Sequence, residues 1–177
     1  PITGKEATGG GWPAPITLMT QSEKQGSALN LANGRVYATT GGYIGDAPPY
    51  QGHVVAVDLA SGKDTIFNSL CANLTRLLRN GDCAEQMSGI WSRGGAVVDP
   101  VNGDIYVVTG NGDFNANHGG NDYGDSIIRL SGDASTILDS YTPRNFQQLD
   151  DTDADLGSSS PALLPTLTAS ATPLLLV

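Results

Sequence analysis

The sequence predicts an all-β protein assembled from repeated four-stranded antiparallel units, and three observations carry that expectation. Gly (23) and Pro (10) are abundant among 177 residues, and helix interiors tolerate neither well. The acids are Asp rather than Glu: of 18, only Glu6, Glu23 and Glu85 are Glu, and Asp favours turns where Glu favours helices. The chain also repeats itself. Asn33-Gly34-Arg35-Val36-Tyr37-Ala38-Thr39-Thr40-Gly41-Gly42 returns as Asn102-Gly103-Asp104-Ile105-Tyr106-Val107-Val108-Thr109-Gly110-Asn111, and self-similarity at a fixed period marks a repeat architecture.

Each unit reads as four strands in order. A short apolar run comes first, 27–31 in one copy and 95–99 in the other. An Asn-Gly turn and a β-branched second strand follow, which together are a hairpin signal. A polar, Gly-rich loop leads to a third strand, 52–58 or 124–130, with Gly52 aligned to Gly124. Ser61-Gly62-Lys63 or Ser131-Gly132-Asp133 then turns the chain into a fourth strand, near 65–67 or 136–141. Tyr37 and Tyr106 hold equivalent places and read as packing residues. A third unit opens at 159–164, and 173–177 reads as its second strand. Helix content should be small, with 72–79 the best candidate.

Four antiparallel strands recurring at this period describe the blade of a β-propeller. About two and a half blades are present, 27–90, 91–157 and the start of a third at 158–177. Propellers close with about four to eight blades, so the remaining blades are expected from the same longer chain or from other chains. A β-sandwich of similar strands is the alternative.

A net charge of -9 argues against nucleic acid, whose phosphates it repels. No apolar run is long enough to span a bilayer as a helix. Cys71 and Cys83 are the only cysteines and flank a short loop. A disulfide there suits a periplasmic or extracellular protein. The spacing is too long for a CxxC zinc or redox pair. His53 and His118 are the only histidines and adjoin no nucleophile motif, which speaks against a hydrolytic triad.

Ala56-Val57-Asp58, followed by Ser61-Gly62-Lys63, resembles the repeat of the pyrroloquinoline-quinone (PQQ) dehydrogenase superfamily, with Ser for Thr and Ile66 in the place of its usual Trp. Asp99-Pro100 through Thr109-Gly110-Asn111 resembles the segment of quinoprotein alcohol dehydrogenases that ends in T-G-N. The resemblance implies that Asn111 ligates a calcium set against PQQ. It implies a catalytic Asp at Asp153 and a second acid at Asp155, in the stretch Leu149-Asp150-Asp151-Thr152-Asp153-Ala154-Asp155. In the family a further calcium ligand, a Glu, lies in the loop before the first third strand; here Asp46 is the acid available. Trp91, about two residues earlier than the family's Trp floor, is the candidate cofactor platform, and Arg93 the candidate for an anionic cofactor. The family's roof of adjacent cysteines has no counterpart, because Cys71 and Cys83 are separated.

The implied chemistry is oxidation of an alcohol or sugar, with electrons passed to an acceptor protein or quinone. Calcium suits Asn and Asp oxygens, and a carboxylate beside the reacting carbon suits a general base. Other readings of the same residues stay open. Asp150 to Asp155 reads equally as a solvated acidic loop or a local calcium loop, Asn111 as a strand-end turn residue, and Trp91 as packing. A non-catalytic propeller of the same superfamily, binding envelope or cell-surface proteins through its loops, is the alternative function.

Overall fold

The structure is a computed structural model and describes residues 21–43, 48–79, 81–164 and 174–176. The chain is mostly β and antiparallel. β1 (Glu23–Gln25), β2 (Asn30–Ala32), β3 (Arg35–Gly42), β4 (His53–Asp58) and β5 (Asp64–Asn68) form the first sheet. β6 (Val97–Val98), β7 (Ile105–Val108), β8 (Ile127–Leu130) and β9 (Ile137–Tyr141) form the second, in sequential order. β10 (Ala162–Leu164) pairs antiparallel with β11 (Leu174–Leu176).

Local chemistry sets the turns. Asn33 and Gly34 both take positive φ, 53° and 68°, which gives the hairpin between β2 and β3 the turn its strand twist favours. In the second copy Gly103 (φ 81°) carries the left-handed position. Asp58 caps the turn after β4: its Oδ1 accepts from Ser61 N at 2.9 Å and Ala60 N at 3.1 Å, and Arg35 lies 3.1 Å from Oδ2. The Ser61 amide and hydroxyl foremost hold this carboxyl below the ordinary Asp range.

The sheets pack face to face. Tyr37, Val54 and Phe67 of the first meet Ile105, Val107 and Ile128 of the second in one buried cluster. Repeat turns reinforce the seam, since Tyr37 Oη donates to Gly132 O at 2.6 Å and Asn33 Nδ2 to Gly103 O at 2.9 Å. Tyr37 and Tyr106 are both buried. Leu29 and Leu31, 62% and 72% exposed, stand outside this core.

Three details depart from the sequence reading. β1 was not anticipated; it pairs with the far end of β3, Glu23 opposite Gly42, so β3 carries both β1 and β2. Register also shifts the alignment of the third strands. Ala56 faces Tyr37 and Arg129 faces Tyr106, which puts Asp125, not Gly124, in the place of Gly52. The same hydrogen bond in both copies agrees: Thr40 Oγ1 accepts from His53 N at 3.1 Å, and Thr109 Oγ1 from Ser126 N at 2.8 Å.

The third departure is that 72–79 is not helical. Asn68 Nδ2 takes the carbonyls of Leu74 (2.6 Å) and Arg76 (2.9 Å), which a helix would need for itself. Asn68 Oδ1 faces His53 Nδ1 at 2.8 Å, and His53 Nε2 faces Glu23 Oε1 at 3.4 Å. A buried polar chain thus crosses the sheet to fix this loop. The α-helix of the described residues is instead α1 (Phe146–Asp151).

The Cys71–Cys83 disulfide forms, with Cα atoms 6.0 Å apart, above a small apolar cluster of Leu70 and Leu78. Cross-linking a loop of this size constrains the unfolded chain. The Cys71→Ser/Cys83→Ser double variant should therefore lose about 3 kcal/mol in denaturant unfolding. Unchanged stability would show that the packed loop, not the bridge, sets the local free energy.

Candidate functional site

The candidate site lies where the chain leaves β7. Thr109 Oγ1 donates to Tyr123 O at 2.6 Å and holds the loop between β7 and β8 against the strand end. Gly110 N donates to Gly89 O at 2.9 Å, and Gly110 O accepts from Asp125 N at 2.8 Å. Gly110 is required here. A Cβ on it would stand 2.1 Å from Trp91 Cη2, while a Cβ on Gly157 would stand 2.5 Å from Gly110 N. Trp91 on one side and the 156–158 turn on the other therefore close on bare backbone. The six-membered ring of the Trp91 indole also covers Gly41 of β3 and Gly89 in the link between the two sheets.

Asn111 is held from two directions by the acidic segment that was to meet it. Its backbone N–H donates to Asp155 Oδ1 at 2.9 Å, and its Nδ2 donates to Asp153 Oδ1 at 3.2 Å. Its carbonyl accepts from Ser88 N at 2.6 Å. Asn111 itself is 4% exposed, and its Oδ1 is buried with no hydrogen-bond partner. Asp153 is exposed, in a left-handed backbone conformation (φ 54°) uncommon for Asp,. Asp150 and Asp151 close α1 rather than lying in an open loop.

Asp125 is the group that sequence reasoning missed. It is wholly buried, at φ 43°, and its Oδ1 accepts from Leu156 N at 3.1 Å while Oδ2 has no partner. Burial pushes its carboxyl up to about 6; the Leu156 amide opposes this, and Asp155 and Asp150 add to it. Asp150 is raised as well, by burial first and then by Asp151 and Asp113, against the Gly112 amide. The charges acting on both carboxyls are all acidic, an environment that disfavours adding negative charge and favours a cation. The signal available in the sequence was a break in the repeat, an acid where the first copy has Gly52, and it needed the register to be seen.

The other candidates fall around this centre. Trp91 adjoins it through Gly110; Arg93 is exposed in the turn before β6, its carbonyl accepting from Ala28 N at 2.9 Å. Asp46 lies outside the described residues. Among the described residues, the only three His, Cys, Asp or Glu ligand atoms mutually within 4.8 Å belong to Cys71, Cys83 and Asp122. Two of those are spent in the disulfide. No three acids around Asn111 are that close, so a cation there would draw on Asn111 Oδ1, carbonyls and water as well, as calcium's six to eight oxygens allow. Compared with known proteins, the chain matches no family model, no curated protein and no solved structure.

Proposed function

We propose that the two sheets are neighbouring blades of a β-propeller, and that the end of β7 forms a calcium site serving PQQ in the oxidation of an alcohol or sugar. One observation carries this reading: Asn111 is clamped by Asp153 and Asp155 while its Oδ1 stays buried and unpartnered, and Asp125, whose backbone N–H binds Gly110 O, has a buried, unpartnered Oδ2. Two interior oxygens without donors are costly unless a cation or water meets them. Oxygen ligands of this kind fit calcium.

PQQ, when bound, supplies a two-electron acceptor, and calcium a Lewis acid on its reacting carbonyl. The chain's own residues supply the rest. Asn111 Oδ1, Asp155 and Asp125 would hold the cation; Trp91, backed by three glycines, would offer an aromatic surface; exposed Asp153 would take the proton of the substrate hydroxyl. Such a quinone would take the two electrons that the alcohol gives up in becoming a carbonyl compound. The disulfide supports an oxidising, extracytoplasmic location,.

The test is calorimetric titration of PQQ in the presence of calcium into the protein, repeated with Asn111→Ala and Asp153→Ala. Saturable binding, weakened about tenfold or more by Asn111→Ala (about 1.4 kcal/mol or more), is expected. No binding by folded protein would remove the enzyme reading and leave a partner-binding scaffold.

A further inference from the structure

A second feature lies apart from the Asn111 centre. A cavity of about 490 Å³ opens between the loop after β7 and the link from β9 into α1. Its size is that of a small-molecule site. Phe114 and Phe146 meet edge to face across its base, with centroids 4.9 Å apart and planes at 69°, and Tyr123 adds a third ring to the lining. Ser140, Thr142 and Arg144 also line it.

The walls are held in place by contacts that any ligand would find ready-made. Phe114 and Tyr123 bridge antiparallel across the loop. Asp122 N donates to Asn115 Oδ1 at 3.0 Å, and Asp122 Oδ1 accepts from Cys71 N at 2.8 Å, which ties the loop to the disulfide. Tyr123 N donates to Ser69 O at 2.9 Å. The aromatic side of the cavity is thus anchored to both sheets.

Arg144 is the informative residue. Arg35, Arg76 and Arg129 are each ion-paired with an Asp. Arg144, like Arg79 and Arg93, forms no salt bridge among the described residues, but of these three it alone lines this cavity. A guanidinium in the lining of a cavity that also holds three aromatic rings matches a planar anion with an apolar body: the fork takes a carboxylate bidentately and the rings take the body. We infer that this cavity binds a small aromatic carboxylate, the carboxylate on Arg144 and the ring against Phe146 and Tyr123. The hydroxyl of Ser140 serves the second carboxylate edge, while Thr142 Oγ1 is bonded to Ser126 Oγ at 2.7 Å and shapes the wall,.

The probe is 2-naphthoate, titrated by calorimetry into the whole protein in the presence of chelator, so that the result is independent of the proposed calcium site. The uncharged 2-naphthalenemethanol is the control. Saturable binding with Kd below about 1 mM is expected, weakened about tenfold or more by Arg144→Gln and absent for the alcohol. Arg144 is exposed and unpaired, so Arg144→Gln should keep the parent's melting temperature; Phe146→Ala, checked by circular dichroism, tests the ring. Three results would each overturn the assignment: no heat up to about 10 mM, equal affinity in folded Arg144→Gln, or equal affinity for the alcohol.

Discussion

Gly110→Ala is expected to lower the unfolding free energy by about 3 kcal/mol, the upper range for forcing an extra carbon into a packed site. The added Cβ would sit 2.1 Å from Trp91 Cη2, and the indole cannot retreat without uncovering Gly89 and Gly41. Backbone cannot yield easily either, because Gly110 is bonded to Gly89 on one side and Asp125 on the other. Gly41→Ala is the matched control. Its Cβ would meet Trp91 at 3.1 Å, a contact that a small shift relieves, so a change within about 1 kcal/mol is expected. Denaturant midpoints of both variants decide it. A Trp91→Leu/Gly110→Ala double variant should recover part of the loss, with a coupling of about 1 kcal/mol. Equal costs at the two glycines would show that the indole does not rest on the strand end as described.

Asp125→Asn should raise stability at neutral pH by about 1–3 kcal/mol in calcium-free buffer. Burial raises the folded-state carboxyl to about 6, from 3.8. Between those two pH values the native state holds a proton that the unfolded chain has released. Stability contributed by this group is therefore full below about pH 4, falls as pH rises, and is lost above about pH 6. Melting temperatures of the parent from pH 4 to 7 should show that fall more steeply than those of Asp125→Asn. Calcium should offset the loss in the parent by meeting the charge, and should do nothing for the variant at this position. A parent and variant with parallel pH profiles would place Asp125 in contact with water.

What was legible in the sequence was the part set by local chemistry. Asn-Gly turns, β-branched runs and the Asp58-Ser61-Gly62 cap fix the strands, and β2 to β9 fall close to the positions read from the repeat. The disulfide was legible because two cysteines in one loop leave little choice. Side-chain theft of carbonyls was not legible: Asn68 takes those of Leu74 and Arg76 from the helix that the apolar spacing suggested. Nor was β1, whose buried Glu23 reads as a surface residue until the backbone amide of Gln51 (3.1 Å) and the His53 ring are seen to meet it. The family resemblance named Asn111, Asp153 and Asp155 as one calcium and catalytic centre; the contacts present are two hydrogen bonds, from Asn111 to Asp153 across 42 residues of chain and to Asp155 across 44. Asp125 escaped because the second copy's longer loop leaves the alignment of the third strands open, Gly52 was matched to Gly124, one residue short, and only strand register restores the equivalence.

The most direct test of the proposed centre is calcium alone, titrated by calorimetry into chelator-stripped protein and into Asn111→Ala. One site with Kd below about 1 mM, accompanied by a rise in melting temperature and lost in Asn111→Ala, is the predicted result. A parent that takes up no calcium, or that binds it equally well without the Asn111 side chain, would contradict a cation centre at the end of β7.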